Sequence, residues 1–494
     1  MAIVIGADSS TQSVKVEVRD AVTGEVLATA RVAHPPTTPP CSEQDPDAWW
    51  LALIEAMNSA LGVLSAEQRL DVVALSIGGQ QHGMVTVDAA GIPIRLAKLW
   101  NDTESAPQAD ALVAAQSAQW WANACGSVPV AAFTVTKLAW LKANEPQNYA
   151  RLAIVLLPHD EMTRRCVGRP VTDRGDASGT AYWSPVTGTW ALELLAQVDP
   201  DRNWEDVLPE VLGPRESAGT LTKTAAEAFG LSESVLVGPG TGDNMAAALG
   251  IGLAPGDVVI SLGTSGTVYA ASDTPTADSS GCVAGFADAS GHFLPLVCTL
   301  NAMKVTDAVI RLLGIDHQGF EDLVLAQEAG SGGLVLLPYL DGERTPNRPD
   351  ATGVLSGIRS DVSRGQLARA SVEGVVCGLL DGLDALSAAG VQTSGRLFLI
   401  GGGSRSAAFR QVVADLAQRP VMVPDADEHV ATGACIQAAV VWAHTNATAL
   451  DRESANPFAD LAAQWSLGGG SVTNPSVDDD KAKAVRAAYA IARG

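Results

Sequence analysis

Residues 2–19 read AIVIGADSSTQSVKVEVR. An apolar run at 2–6 and the alternating VKVEVR at 14–19 flank a short polar turn, so the stretch predicts a β-hairpin. EVLATARVA at 25–33 extends it by a third strand, and Pro35, Pro36, Pro39 and Pro40 then break the pattern. Asp45 and Pro46 stand as N-cap and first residue of a helix, after which Trp49, Trp50, Ile54 and Met57 recur at helical spacing. DVVALSIG at 71–78 reads as a fully buried strand. Hairpin, strand, helix and strand in that order give an α/β fold class.

The theme returns further along. GDVVISL at 256–262 and TVYAA at 267–271 are strand-like, and the turn GTSG joins them at 263–266. A helix is expected over 362–388, and RLFLI at 396–400 is a short buried strand ending in Gly401-Gly402-Gly403. The two strand–turn–strand units are a weak internal repeat or two unrelated hairpins, with a break expected near 245–255. A glycine-rich stretch at 468–471, an acidic run at 478–480 and an Ala-rich helix close the chain and read as a peripheral tail.

The 494 residues suffice for two or three domains, and 47% hydrophobic with 18% charged residues is a globular composition. A formal net charge of −23, with no basic face, speaks against a nucleic-acid partner. The seven cysteines form no C-x-x-C pair, as expected for reduced thiols in a cytoplasmic protein. The N-terminus has no signal-peptide pattern and no stretch reaches 18 apolar residues, so no membrane association is expected.

The chain lacks a P-loop, a dinucleotide fingerprint, a nucleophile elbow and zinc-type histidine spacing. Polar turns at strand ends remain. Asp8, followed by Ser9, Ser10, Thr11 and Gln12, can organise hydrated Mg2+ and phosphate oxygens, or form an ordinary Asx turn. Gly263-Thr264-Ser265-Gly266 can nest a phosphate on its N–H groups or serve as a plain hairpin turn. Gly401-Gly402-Gly403-Ser404 permits close approach of a flat ligand, or turns a strand into a helix. Asp243, in GPGTGDNMAAALG, suits a helix N-cap, and a carboxylate there can also take a proton from an acceptor hydroxyl. The helix N-terminus is expected to hold it ionised. His82, in GGQQHGM, stands in a strand-end loop, as a ligand contact or a satisfied polar residue.

Taken together and in order, these segments resemble the FGGY carbohydrate kinases, and within them the xylulokinases. IGADSSTQSVKV and ISLGTSGTV are similar to the two phosphate motifs of the family, and LFLIGGGSRSAAFRQ to its adenosine motif. LLPHDEMTRRCVG at 156–168 resembles the L-P-x-D segment, and FTVTKLAWLKANEP at 133–146 the K-x-x-W signature with Lys137 and Trp140 in place. Gly79-Gln80-Gln81-His82-Gly83 matches the G-Q-x-H-G loop typical of xylulokinases.

The resemblance implies an actin-like ATPase fold of two ribonuclease-H-like domains with an interdomain cleft. The expected division is 1–247 (sugar and catalytic carboxylate), 248–450 (nucleotide) and 451–494 (tail). It implies ATP and Mg2+ as cofactors, D-xylulose or another ketose or polyol as substrate, and a homodimer as one possible assembly. Asp243 would be the proton acceptor, and Asp8 would meet the metal–phosphate region through water. Gln81, His82, Asp243 and Asn244 would bind sugar. Ser10, Thr11, Gly263 and Thr264 would hold phosphate, and Gly402, Gly403 and Ser404 would border adenine. Ala132, Ala143, Asn144, Glu161, Arg164 and Cys166 depart from the family pattern, away from the chemistry.

Overall fold

The computed structural model describes residues 1–38, 40–426, 428–449 and 454–494. The opening hairpin forms as expected, with strands Ile3–Ser9 and Ser13–Asp20 antiparallel and Val26–Ala33 beside them. Val72–Gly79 pairs parallel to Ile3–Ser9. The seven-stranded sheet is completed by Gly219–Thr220, Leu236–Val237 and Thr241–Gly242. Helix Pro46–Gly62 starts where the proline predicts, with the Asp45 carboxylate accepting from Asp47 N. Such a cap contributes about 1 kcal/mol. Trp49 and Met57 bury fully against this sheet, while Trp50 and Ile54 lie at its margin.

The second half repeats the frame. Val258–Leu262 and Gly266–Ala270 are antiparallel, and Leu397–Ile400 runs parallel to the first of them. This sheet also has seven strands, and helix Arg364–Ala388 packs on it. The two-domain α/β architecture is therefore two copies of one arrangement, and the weak repeat in the sequence is a structural one.

Chain order and spatial membership part in two places. The expected boundary at 247/248 falls inside helix Asp243–Gly250, and the chain crosses to the second sheet only after it. Helix His429–Thr445, late in the chain, packs on the first sheet and across Asp243–Gly250. The crossing is closed by glycine: a Cβ at Gly433 would stand 1.8 Å from Ala246 O, and one at Gly250 1.9 Å from His429 O.

The peripheral reading of the C-terminal segment is corrected. Gly470–Thr473 adds an edge strand to the second sheet, and helix Asp479–Arg493 buries Ala482, Val485 and Tyr489 in that domain's core. The acidic run caps this helix, since the Asp478 carboxylate accepts from Lys481 N. The expected boundary at 450/451 lies outside the described residues. Among the described residues, no helix is long and apolar enough to cross a membrane, and all seven cysteines are free.

Candidate active site

Three parallel strands of the first sheet end at one level. Asp8 is opposite Gly78, Thr241 opposite Gly78 on the other side, and Gly242 opposite Gly79. Ligands in α/β sheets gather beyond the carboxyl ends of such strands. The register therefore delivers Asp8, the Gln80-Gln81-His82 loop and Asp243 to one place.

Asp8 is buried, and its Oδ1 has no hydrogen-bond partner. Lys15 Nζ lies 3.5 Å from the other oxygen. Burial, only partly offset by Lys15, pushes this carboxyl up to about 6. An orphaned carboxylate oxygen at a strand end fits a hydrated Mg2+, which favours one or two carboxylates with waters and phosphate. Ser10 is turned into its own hairpin, its hydroxyl donating to Ser13 O at 3.1 Å. Thr11 faces the loop instead, donating to Gln80 Oε1 at 2.9 Å and accepting from Trp100 Nε1 at 3.1 Å.

Asp243 is the first residue of its helix, and the N-cap is Gly242, which corrects the capping expectation. The Asp243 Oδ1 accepts from Asn244 N at 2.8 Å and Asn244 Nδ2 at 2.9 Å. The expectation that the helix N-terminus keeps it readily ionised is also corrected. Burial and then the nearby Asp8 raise this carboxyl to about 7, and the Asn244 bonds offset them in part. A general base works best with a pKa near the operating pH.

The Gln81-His82 loop is tied to this helix, because Asn244 Nδ2 also donates to Gln81 Oε1 at 2.7 Å. His82 has a positive φ of 64°. Its ring stands edge-on to Phe133, with centroids 5.0 Å apart, and 5.3 Å from Phe286 of the second domain. Burial, with Arg344 and Lys137 adding to it, holds His82 neutral, well below its usual value.

Beneath this loop lies a cluster that the sequence reading did not single out. His159 Nε2 lies 3.3 Å from Asp160, 3.5 Å from Asp173 and 3.4 Å from Asp176, all buried. Burial pulls the imidazole down, but the three carboxylates outweigh it and lift it to about 9. Asp173 Oδ2 accepts from Thr241 Oγ1 at 2.7 Å, and Asp176 Oδ1 meets His82 N at 3.4 Å. The cluster thus sits under both the Gln81-His82 loop and the strand leading to Asp243. The spacing D-x-x-D at 173–176 in TDRGDASG was the available signal, but the pairing with His159 is tertiary.

Lys137 and Trp140 serve the scaffold. Lys137 Nζ donates to Ala131 O at 2.8 Å and to Ala132 O, and Trp140 lies under Lys98 Nζ at 3.9 Å.

In the second domain the turn is open. Thr264 is exposed, and Gly263 N donates to Ser265 O at 3.0 Å. The carbonyls of Gly263 and Thr264 accept from Met303 N and Ala302 N, which pins the loop to the start of a helix. Gly401 has a φ of 83°, so only glycine sits there without strain. A Cβ at Gly403 would stand 2.7 Å from Leu262 Cβ and Met303 Sδ, which places this turn directly behind the 263–266 loop. Gly402 faces open space, and the Ser404 hydroxyl donates back to Gly401 O at 2.8 Å.

Comparison with known proteins identifies the family. The N-terminal domain model of the FGGY family of carbohydrate kinases matches residues 3–250, and its C-terminal domain model matches 258–442. A xylulose kinase of Streptomyces coelicolor is 46% identical over 97% of this chain and 94% of its own length. One from Streptomyces rubiginosus is 48% identical over 88% of this chain and 87% of its own. The crystal structure of xylulose kinase from Bifidobacterium adolescentis superposes with a TM-score of 0.85 at 40% identity, covering 100% of this chain and 99% of that one. A Plasmodium falciparum glycerol kinase with ADP shares the fold alone, with a TM-score of 0.86 at 18% identity over 100% of this chain and 98% of that one. With its two domain models in order and these relatives along nearly its full length, the chain belongs to the FGGY family of carbohydrate kinases.

Proposed function

We propose that this chain transfers the γ-phosphoryl group of ATP to D-xylulose, giving D-xylulose 5-phosphate, with Asp243 as the general base. The observation that carries the chemistry is the Asp243 carboxyl, raised to about 7 beside Asp8 at the shared strand ends. Its Oδ1 holds Asn244, which leaves Oδ2 to accept the proton of the sugar's terminal hydroxyl. Gln81, His82 and Asn244 position the sugar. The bond from Asn244 to Gln81 fixes the distance between the sugar loop and the base. Gly263 and Thr264 cradle phosphate, Ser10 and Thr11 line the facing turn, and adenine lies against Gly402, Gly403 and Ser404.

Asp8, with its orphaned Oδ1, would hold Mg2+ through water. The cation, when bound, neutralises phosphate charge. Catalysis is mainly positioning and charge stabilisation in a cleft that excludes water on closing. The substrate name rests on the xylulose kinases similar to this chain along nearly its whole length. A cytoplasmic location belongs to the proposal on the cysteine pattern, and a homodimer on the family resemblance alone.

The test is ADP release with Mg-ATP across D-xylulose, L-xylulose, D- and L-ribulose, glycerol, xylitol and arabitol. D-Xylulose should give the highest kcat/KM. Preference for another sugar would replace the substrate and keep the mechanism.

A further inference from the structure

We propose that Arg344 is a substrate-contacting residue given by the second domain to the sugar end of the cleft, where its guanidinium donates to the carbonyl oxygen of the ketose. The inference rests on the sugar-kinase reading above and deepens it.

Arg344 belongs to the segment Gly342–Pro346, which reaches from the second domain toward the wall of the sugar loop. Its guanidinium carbon lies 5.7 Å from the ring centroid of Phe133, the same ring that packs edge-on to His82. Its positive charge weighs on His82 more than that of Lys137 does.

The segment is held firmly. Glu343 Oε1 accepts from Leu300 N at 2.6 Å and from Arg344 N at 2.7 Å, and Oε2 accepts from Asn301 Nδ2 at 2.9 Å. Thr345 Oγ1 donates to Cys298 O at 2.9 Å. Glu343 spends its oxygens on these backbone and amide donors and makes no ion pair with the Arg344 guanidinium. Among the described residues no carboxylate stands within ion-pair distance of Arg344, although the side chain is half-buried.

A partly desolvated guanidinium without a counter-ion is unfavourable unless an acceptor arrives. Guanidinium only donates. Of the oxygens on an open-chain ketose, the carbonyl only accepts, so it is the best match. The alditol of the same length has a tetrahedral hydroxyl there, which also accepts but in a different direction, so a guanidinium aligned on the planar carbonyl favours the ketose. Phe133 and Phe286 shape the apolar side of the same wall.

The experiment compares the full-length protein with Arg344→Met and Arg344→Lys, using D-xylulose and xylitol as acceptors. Arg344→Met should raise KM for D-xylulose about 10- to 100-fold, the range of a lost charge-assisted bond. It should also narrow the kcat/KM preference for D-xylulose over xylitol. KM for ATP and sugar-free ATP hydrolysis should stay within about twofold, and Arg344→Lys should recover part of the loss through its retained charge. An unchanged sugar KM in a variant with wild-type Tm would overturn the proposal, as would a loss confined to KM for ATP. If the wild type prefers another sugar, the substrate assignment fails separately, and the same KM comparison is made on that sugar and its alditol.

Discussion

The two polar turns share a frame and differ in what they carry. Each joins an antiparallel pair whose first strand also pairs parallel to a later one, Ile3–Ser9 with Val72–Gly79 and Val258–Leu262 with Leu397–Ile400. At the first turn the strands carry charge, with a buried Asp8, a half-buried Lys15 and, across the strand ends, Asp243. The second is open and uncharged, its glycines clearing space and its backbone pinned from behind. One copy of the arrangement stores ionisable groups at raised pKa, and the other offers backbone to an anion. Under the proposed function, the duplicated frame would divide proton chemistry from nucleotide holding.

The largest test of that division is Asp243→Asn. It should lower kcat by about 10²-fold or more, the general-base range, with KM for ATP little changed. Equal loss on Gly402→Ala would break the comparison, because that residue belongs to the nucleotide side.

Stability should divide differently. His159→Leu leaves Asp160, Asp173 and Asp176 without their buried cation and should cost about 3–5 kcal/mol in urea unfolding. His159→Lys keeps the charge and should restore much of it. Equal stability of both variants would show that the imidazole is not the counter-ion its distances indicate. On the second domain, Tyr489→Ala should destabilise by about 3 kcal/mol, since the ring is buried in that core. A neutral result would return the C-terminal helix to the periphery.

The smallest effect is expected at Gly402, where an added methyl meets nothing within 4 Å. Gly402→Ala should leave Tm unchanged and raise KM for ATP about 3- to 10-fold, the weight of roughly 1 kcal/mol. No change in KM for ATP would move adenine off this turn.

Much of this was legible in local pattern. The hairpin at 2–19, the Asp45–Pro46 helix start and the strand at 71–78 are each set by short-range alternation, capping and proline chemistry, and they form where expected. Asp8, Asp243 and the loop with His82 stood out as polar positions at strand ends against apolar flanks, Gln81 and Asn244 entered as sugar contacts only through the family resemblance, and the structure brings these residues to one place. What escaped depends on distant packing. Asp243 was read as the cap because a carboxylate usually takes that position, yet Gly242 does, and the helix register is set by the Gly250–Gly433 crossing. The raised carboxyl follows from burial and Asp8, which lies 235 positions earlier in the chain. His159 and Arg344 carry no local signal, since their partners come from other elements. The C-terminal helix looked peripheral because its apolar face is narrow, and only docking on the second domain buries Tyr489.

The most direct test of the central claim is the pH profile of kcat/KM for the sugar at saturating ATP, in wild type and Asp8→Asn. The base must be deprotonated, so activity should rise with pH through about 7 and level off above it. Removing the negative Asp8 takes away one cause of the raised carboxyl, so the residual activity of Asp8→Asn should show its acid limb at lower pH. A wild-type profile flat from about pH 6 to 8, on the order of one unit either side of this value, or a limb that Asp8→Asn leaves in place, would contradict the account.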